Sequence, residues 1–180
     1  TELLESHRVA ATPENLQLLC ERYYELLPQE LERSAGRILP GVCEVLVALQ
    51  ERGACYLGLL SGNMRRSARI KLEHFGLWEY FDFGVFGDEA RERPLLSVPA
   101  LTAVAKRSGQ QLPAERMVII GDTPLDIALA QAMGVRCLAV CTGGFDEASL
   151  LAAGACRVVA DLAQTKNICE WFFLQMELDR

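Results

Sequence analysis

Between residues 14 and 27 the apolar positions Leu16, Leu19, Tyr23 and Leu26 recur at three- and four-residue intervals, the period of an amphipathic helix. Thr12 ahead of Pro13 marks its start, with the hydroxyl as N-cap and the proline at the first helical position. Gly36, Pro40 and Gly41 then punctuate the chain, which places a boundary at 34–40. Beyond it the pattern alternates. Apolar runs at 54–61, 81–86, 117–121 and 136–140 predict strands. Segments 41–52, 64–75, 98–108 and 124–133 predict helices, the last stopped by Gly134. A short helix at 147–153, an edge strand at 157–160 and a terminal helix from Thr165 complete the series.

Strands that alternate with helices and read as continuous apolar runs imply an α/β fold, a parallel sheet with helices on both faces. Ligands bind such sheets beyond the carboxyl ends of the strands, which directs attention to the residues after Leu60, Phe86, Ile120 and Val140. The length of 180 residues, 51% hydrophobic and 23% charged, suits one compact domain with an appendage.

Eighteen basic residues against 24 acidic ones leave a formal charge of −6, so no general field attracts nucleic acid or acidic membranes. The nearest basic cluster, Arg65, Arg66, Arg69 and Lys71, reads as the solvated face of one helix. No apolar run approaches the roughly 18–20 residues of a spanning helix, and the first residues lack the basic start and apolar core of a signal peptide. A soluble, cytoplasmic protein with neither nucleic-acid nor membrane partners is expected. The seven cysteines, Cys20, Cys43, Cys55, Cys137, Cys141, Cys156 and Cys169, form no C-x-x-C and are read as reduced, buried thiols. His7 and His74 lie too far from any cysteine pair to suggest zinc by spacing.

Three segments carry candidate chemistry. Val118-Ile119-Ile120-Gly121-Asp122-Thr123-Pro124-Leu125-Asp126 sets one carboxylate at a strand end and another four residues later. With a helix starting near Thr123, both acids return to one side and address one cation. The plainer reading is that Asp122 or Thr123 N-caps the helix with Pro124 at N1. Capping alone does not require two acids, so the metal reading is preferred. Ser61-Gly62-Asn63 combines a hydroxyl with backbone N–H groups before a helix, which suits an anion and equally describes a capped turn. Arg91-Glu92-Arg93-Pro94 offers in Arg93 a permanently charged fork for phosphate oxygens, although alone it reads as a solvated arginine.

In chain order, Ser61-Gly62-Asn63, then Arg93-Pro94, then the Gly121-to-Asp126 segment, the three resemble the haloacid dehalogenase superfamily, in particular its phosphoglycolate-phosphatase-like members. Leu39-Pro40-Gly41-Val42 and Lys71-Leu72-Glu73-His74-Phe75-Gly76-Leu77 add to the likeness, which covers residues 36–160. The resemblance implies a Rossmann-like core at 36–180 and the later part of a helical cap at 1–35. By matching position, it implies that Ser61 binds the transferring phosphoryl group, helped by N–H groups around Gly62 and Asn63. Arg93 stands where the family usually has lysine and would balance phosphate charge, while Asp122 and Asp126 would hold Mg2+. The implied activity is a magnesium-dependent phosphatase acting on a small phosphorylated metabolite through an aspartyl-phosphate.

The family begins with a strand ending in D-x-D, whose first aspartate attacks phosphorus. Here the aspartates are Asp82, Asp88, Asp122, Asp126, Asp146, Asp161 and Asp179, and no two are separated by one residue. The chain is therefore expected to be inactive by that mechanism and to bind magnesium weakly. The absent strand would be the central one, between 54–61 and 117–121. Either the chain is a truncated form, or the flanking strands close the gap, or another chain fills it by strand exchange. The alternative function is a non-catalytic binding or strand-accepting protein. The terminal segment Ile168-Cys169-Glu170-Trp171-Phe172-Phe173-Leu174 is expected to pack on its own domain, with a homodimer contact as the alternative. His74 is placed in a helix's last turn, where its charge complements the dipole.

Overall fold

The computed structural model describes residues 2–53, 55–88 and 93–177; of residues 2, 3, 93, 94 and 174–177 only the backbone is described. Helix α1 (Glu2–Ser6) precedes α2 (Pro13–Arg33), whose first turn is capped by Thr12 Oγ1 accepting from Asn15 N at 3.3 Å. The predicted helix ends at 27, but α2 runs on through Pro28 to Arg33. A proline there removes one backbone donor without ending the helix, because tertiary packing holds both halves. That packing is against α4 (Arg65–His74): Tyr24 Oη donates to Met64 Sδ at 3.2 Å, and the Arg66 guanidinium stacks 4.6 Å from the Tyr24 ring centre.

Between them lie α3 (Val42–Glu51) and β1 (Gly58–Leu60). The chain continues through β2 (Phe83–Val85), α5 (Ser97–Ser108), β3 (Val118–Gly121), α6 (Pro124–Met133), β4 (Arg136–Val140), α7 (Glu147–Ala152), β5 (Arg157–Val159) and α8 (Thr165–Glu177). Short 3-10 turns at Trp78–Tyr80, Arg93–Leu96 and Ala114–Arg116 were not legible in the apolar pattern, since three or four residues are too few to show a period.

All strand pairs are parallel, in keeping with the α/β expectation. They form two sheets, β1–β2 and β3–β4–β5, and among the described residues β1 and β3 do not pair with each other. The flanking strands therefore do not close the gap between them. One apolar cluster nevertheless spans both sheets, and a second reaches from the β3–β4–β5 sheet to the residue just ahead of β1. On one face Leu60 and Val85 join Ile119, Ile127, Leu129 and Ala139; on the other Leu57 joins Val118, Leu138, Val45 and Leu49. Ile168, Phe172 and Phe173 of α8 complete the second cluster, all under a tenth exposed, so the terminal aromatic segment packs on its own domain. Strands β1 and β2 are shorter than the apolar runs predicted, because a ladder extends only as far as its partner. Asp82 ties their starts together: Oδ2 accepts from Leu57 N at 2.8 Å and Oδ1 from Arg107 at 2.7 Å.

All seven cysteines are free thiols, but only Cys137 is fully buried and Cys156 is exposed, which corrects the expectation that all are buried. Cys156 follows α7 in a turn at the surface, where an apolar residue count says nothing of accessibility. Burial, and secondarily the Asp126 charge, push the Cys137 thiol up to about 12. Its thiolate fraction at pH 8 is then roughly one in 10,000, and thiolate is the reactive form. With the native protein at pH 8, a disulfide reagent is expected to label Cys156 and spare Cys137, read by peptide mass. Labelling of Cys137 at a comparable rate would contradict its burial.

Candidate active site

At the carboxyl end of β3, Gly121 leads into Asp122 and the capping box of α6. Thr123 is the N-cap, Pro124 occupies N1 and Asp126 is the N3 acid. Asp126 Oδ2 accepts three bonds, from Asp122 N at 3.2 Å, Thr123 N at 3.1 Å and Thr123 Oγ1 at 2.8 Å. The side chain is 2% exposed. The plainer reading of this segment is thus realised, but through Asp126: a capping box does use an acid at N3, so the second carboxylate has a structural task. Asp122 and Asp126 both line the same cleft.

Asp122 differs from its neighbour. It is half-buried, and among the described residues its carboxylate makes no hydrogen bond and no ion pair. A carboxylate in that state is costly unless a cation or water serves it. Two glycines shape its surroundings. A Cβ at Gly143 would lie 2.7 Å from Asp122 Cγ and 2.8 Å from Oδ2, and one at Gly121 would sit 2.6 Å from Asp126 Oδ2. The Thr142-Gly143-Gly144 step after β4 escaped the sequence reading, although a glycine pair directly after a strand signals close backbone approach. A cleft of about 220 Å³ opens beside Asp122, lined by Leu39, Pro40, Val42, Ile120 and Val140. Ile120 is 40% exposed, unusual for the middle of a strand read as buried.

At the end of β1, Ser61 N donates to Val85 O at 3.1 Å, which extends the parallel ladder by one bond. Ser61 Oγ accepts from Asn63 N and from Asn63 Nδ2, each at 3.1 Å. The loop after β2 presses against this turn: a Cβ at Gly87 would overlap the Gly62 carbonyl, and Gly87 N donates to Asn63 O at 2.9 Å. Asp88 Oδ1 accepts from Arg65 N at 3.3 Å, taking one of the donors at the start of α4. Ser61, Gly62 and Asn63 therefore form one tight turn ahead of a helix, as the sequence placed them.

The four cations read as one solvated face have separate tasks. Arg65 Nη2 donates to Gly84 O at 3.1 Å, Arg66 lies over Tyr24, and Arg69 pairs with Glu73 at 2.7 Å. Lys71 is turned back on Asn63 and is half-buried, so it does not belong to that face. Arg93 opens the 3-10 turn ahead of α5, while Arg91, Glu92 and the Arg93 side chain lie outside the described residues. His74 ends α4, with its ring edge-on to Phe75 at 4.8 Å. Among the described residues, no three His, Cys, Asp or Glu side chains gather to hold a metal ion. No helix among them is long and apolar enough to cross a membrane.

Comparison with known proteins places the chain in a family. A phosphoglycolate phosphatase of Synechococcus elongatus is 33% identical over 134 residues, 71% of this chain and 59% of that protein. One from Rhodospirillum rubrum is 32% identical over 130 residues, 72% of this chain and 52% of its own length. The chain spans between about half and three-fifths of these curated relatives. A hydrolase from Pseudomonas syringae superposes with a TM-score of 0.63 at 25% identity, covering 89% of this chain and 74% of that one. A HAD hydrolase of family IA from Entamoeba histolytica superposes with a TM-score of 0.68 at 14% identity, over 90% and 72%. The profile of haloacid dehalogenase-like hydrolases matches residues 2–140, and this chain belongs to that family.

Proposed function

We propose that this chain carries the phosphate-binding and cation-binding parts of a phosphomonoesterase for a small phosphorylated metabolite. The observation that carries this is Asp122: a half-buried carboxylate at a strand's carboxyl end, without a partner among the described residues, beside a cleft. That position is where parallel α/β sheets receive ligands. The relatives' printed activity, phosphoglycolate phosphatase, makes phosphoglycolate the first substrate to try.

Each residue then has a part. Ser61, with the N–H groups of Gly62 and Asn63, binds the phosphoryl oxygens; Arg93 balances their charge. Asp122 would be the direct ligand of a magnesium ion, and Asp126 holds the Asp122 loop in place through its three accepted bonds. One available carboxylate fits magnesium, which keeps much of its water and binds through one or two carboxylates plus substrate phosphate. When bound, the ion would offset charge on the transferring phosphoryl group. The attacking aspartate of the family mechanism, which would form the aspartyl-phosphate, is not among the aspartates described here. The absence of pairing between β1 and β3 favours a strand seated between them as its source, from a longer product or from a second chain.

Calorimetric titration with inorganic phosphate tests the assignment. Magnesium is expected to tighten phosphate binding, and Asp122→Asn to remove that dependence without weakening magnesium-free binding, since the substitution removes a negative charge that would otherwise repel the anion. Phosphate affinity that is the same with and without magnesium in the unaltered chain would overturn the cation role of Asp122.

A further inference from the structure

The Ser61 turn contains a second layer of hydrogen bonds, made by Lys71 and Asn63. Lys71 Nζ donates to Asn63 Oδ1 at 2.9 Å, across eight residues of sequence. Asn63 in turn gives Ser61 Oγ both its backbone N–H and its side-chain amide, each at 3.1 Å. Lysine has only donors, so the oxygen end of the Asn63 carboxamide must face it and the NH2 end must face Ser61. A serine hydroxyl has two lone pairs and one proton. With both lone pairs engaged by Asn63, the Ser61 proton has nowhere to point but away from the turn, toward an acceptor.

The electrostatics agree. A cation is favoured at a helix C-terminus, yet Lys71 reaches back past the N-terminus of α4. The first turn there already holds Arg65 and Arg66 and no acid. Among the described residues no carboxylate pairs with Lys71; its partner is the neutral Asn63 oxygen. A half-buried ammonium drawn to the positive end of a helix gains a counter-charge once an anion occupies the Ser61 turn.

We propose that Lys71 is a positioning residue of the phosphate site: it locks the Asn63 carboxamide in the orientation that makes Ser61 an obligatory donor to the phosphoryl oxygen. The role rests on the phosphate reading of Ser61 given above. Without Lys71 the carboxamide is able to rotate and present its oxygen to Ser61, which then turns its proton inward and withdraws it from the anion.

The test uses the 180-residue chain, 15N-labelled, titrated with inorganic phosphate and followed by the Ser61, Gly62 and Asn63 amide signals and by the Asn63 side-chain NH2. Lys71→Met keeps the aliphatic stem, and Lys71→Arg keeps the donor and charge. Lys71→Met is expected to shift the Asn63 NH2 signal before any phosphate is added and to weaken phosphate binding about 10- to 100-fold, the range for a hydrogen bond to a charged group. Lys71→Arg is expected to restore most of both. In an Asn63→Ala background, Lys71→Met is expected to cost little further, because its effect passes through Asn63. Full additivity of the two substitutions would mean that Lys71 acts by charge alone and overturns the role, as would an unmoved NH2 signal. Failure of the unaltered chain to bind phosphate at the turn overturns the phosphate reading itself and this role with it. Binding by the unaltered chain that Lys71→Met does not weaken overturns this role alone.

Discussion

The 180-residue chain releases phosphate from p-nitrophenyl phosphate, with magnesium present, no faster than buffer does. This expected result follows from where the aspartates stand. Asp82 is held by Arg107 and Leu57 N, and Asp88 by Arg65 N. Asp126 closes the capping box, Asp146 caps α7 by accepting from Ser149 N at 2.8 Å, and Asp161 accepts from Ala163 N at 2.9 Å. Asp122 alone of the six described aspartates has a carboxylate without a partner among the described residues, and it is assigned to the cation. Among the described residues no aspartate is left to attack phosphorus. Enzymes supply up to about 10²¹-fold for phosphate-monoester hydrolysis, whereas binding and electrostatics without the nucleophile retained only about 10³- to 10⁴-fold in a protease. The remainder lies far below detection. A steady-state assay that found magnesium-dependent release, lost in Asp122→Asn, would show that the chain holds a nucleophile this assignment has missed. Intact mass and N-terminal sequencing of the native product then tell whether a strand bearing D-x-D accompanies the chain in its source.

Gly41→Ala is expected to cost about 3 kcal/mol or more, enough to lower the melting temperature by roughly 6–12 °C in a domain of this size. Gly41 opens α3 at φ +78°, a region that costs an L-residue roughly 1–2 kcal/mol. An added Cβ would also overlap the Leu162 carbonyl group and Ala163 N, backbone atoms that no rotamer change can move aside. The contact matters to the site because Leu162 N donates to Pro40 O at 3.2 Å, and Leu39, Pro40, Val42 and Leu162 wall the cleft beside Asp122. Gly53→Ala is the control: its φ is also positive, +63°, but nothing lies within 4 Å of the added carbon. It should cost only the conformational strain, about 1–2 kcal/mol. Denaturant midpoints of the two variants separate strain from overlap. Equal losses would mean that the 40–42 and 162–163 segments part easily, and that the cleft wall is not fixed by their packing.

The α/β class, the boundaries of most helices and the capped start of α6 were legible in the sequence because each depends on local pattern: a 3.6-residue period, a glycine stop, a proline after a capping threonine. The Ser61 turn and the paired position of Asp122 and Asp126 were legible for the same reason, since every residue involved lies within four positions of its neighbours. The missing Asp-x-Asp was also a local fact. Sequence alone did not distinguish the tasks of the two acids: which carboxylate accepts three bonds and which stays without a partner depends on how the loop closes over the helix start.

Tertiary structure decided everything that joins distant segments. That β1 and β3 do not pair with each other, that Gly143 lies against Asp122, and that Lys71 folds onto Asn63 are contacts between parts of the chain that local periodicity cannot see. Lys71 is the instructive case. Its spacing puts it among the basic residues of one helix, where solvent is the default, and only the three-dimensional path of the Ser61 turn gives it a partner. Local free-energy preferences select elements one by one, but a hydrogen-bond donor is committed by whatever acceptor the folded chain brings within 3 Å of it.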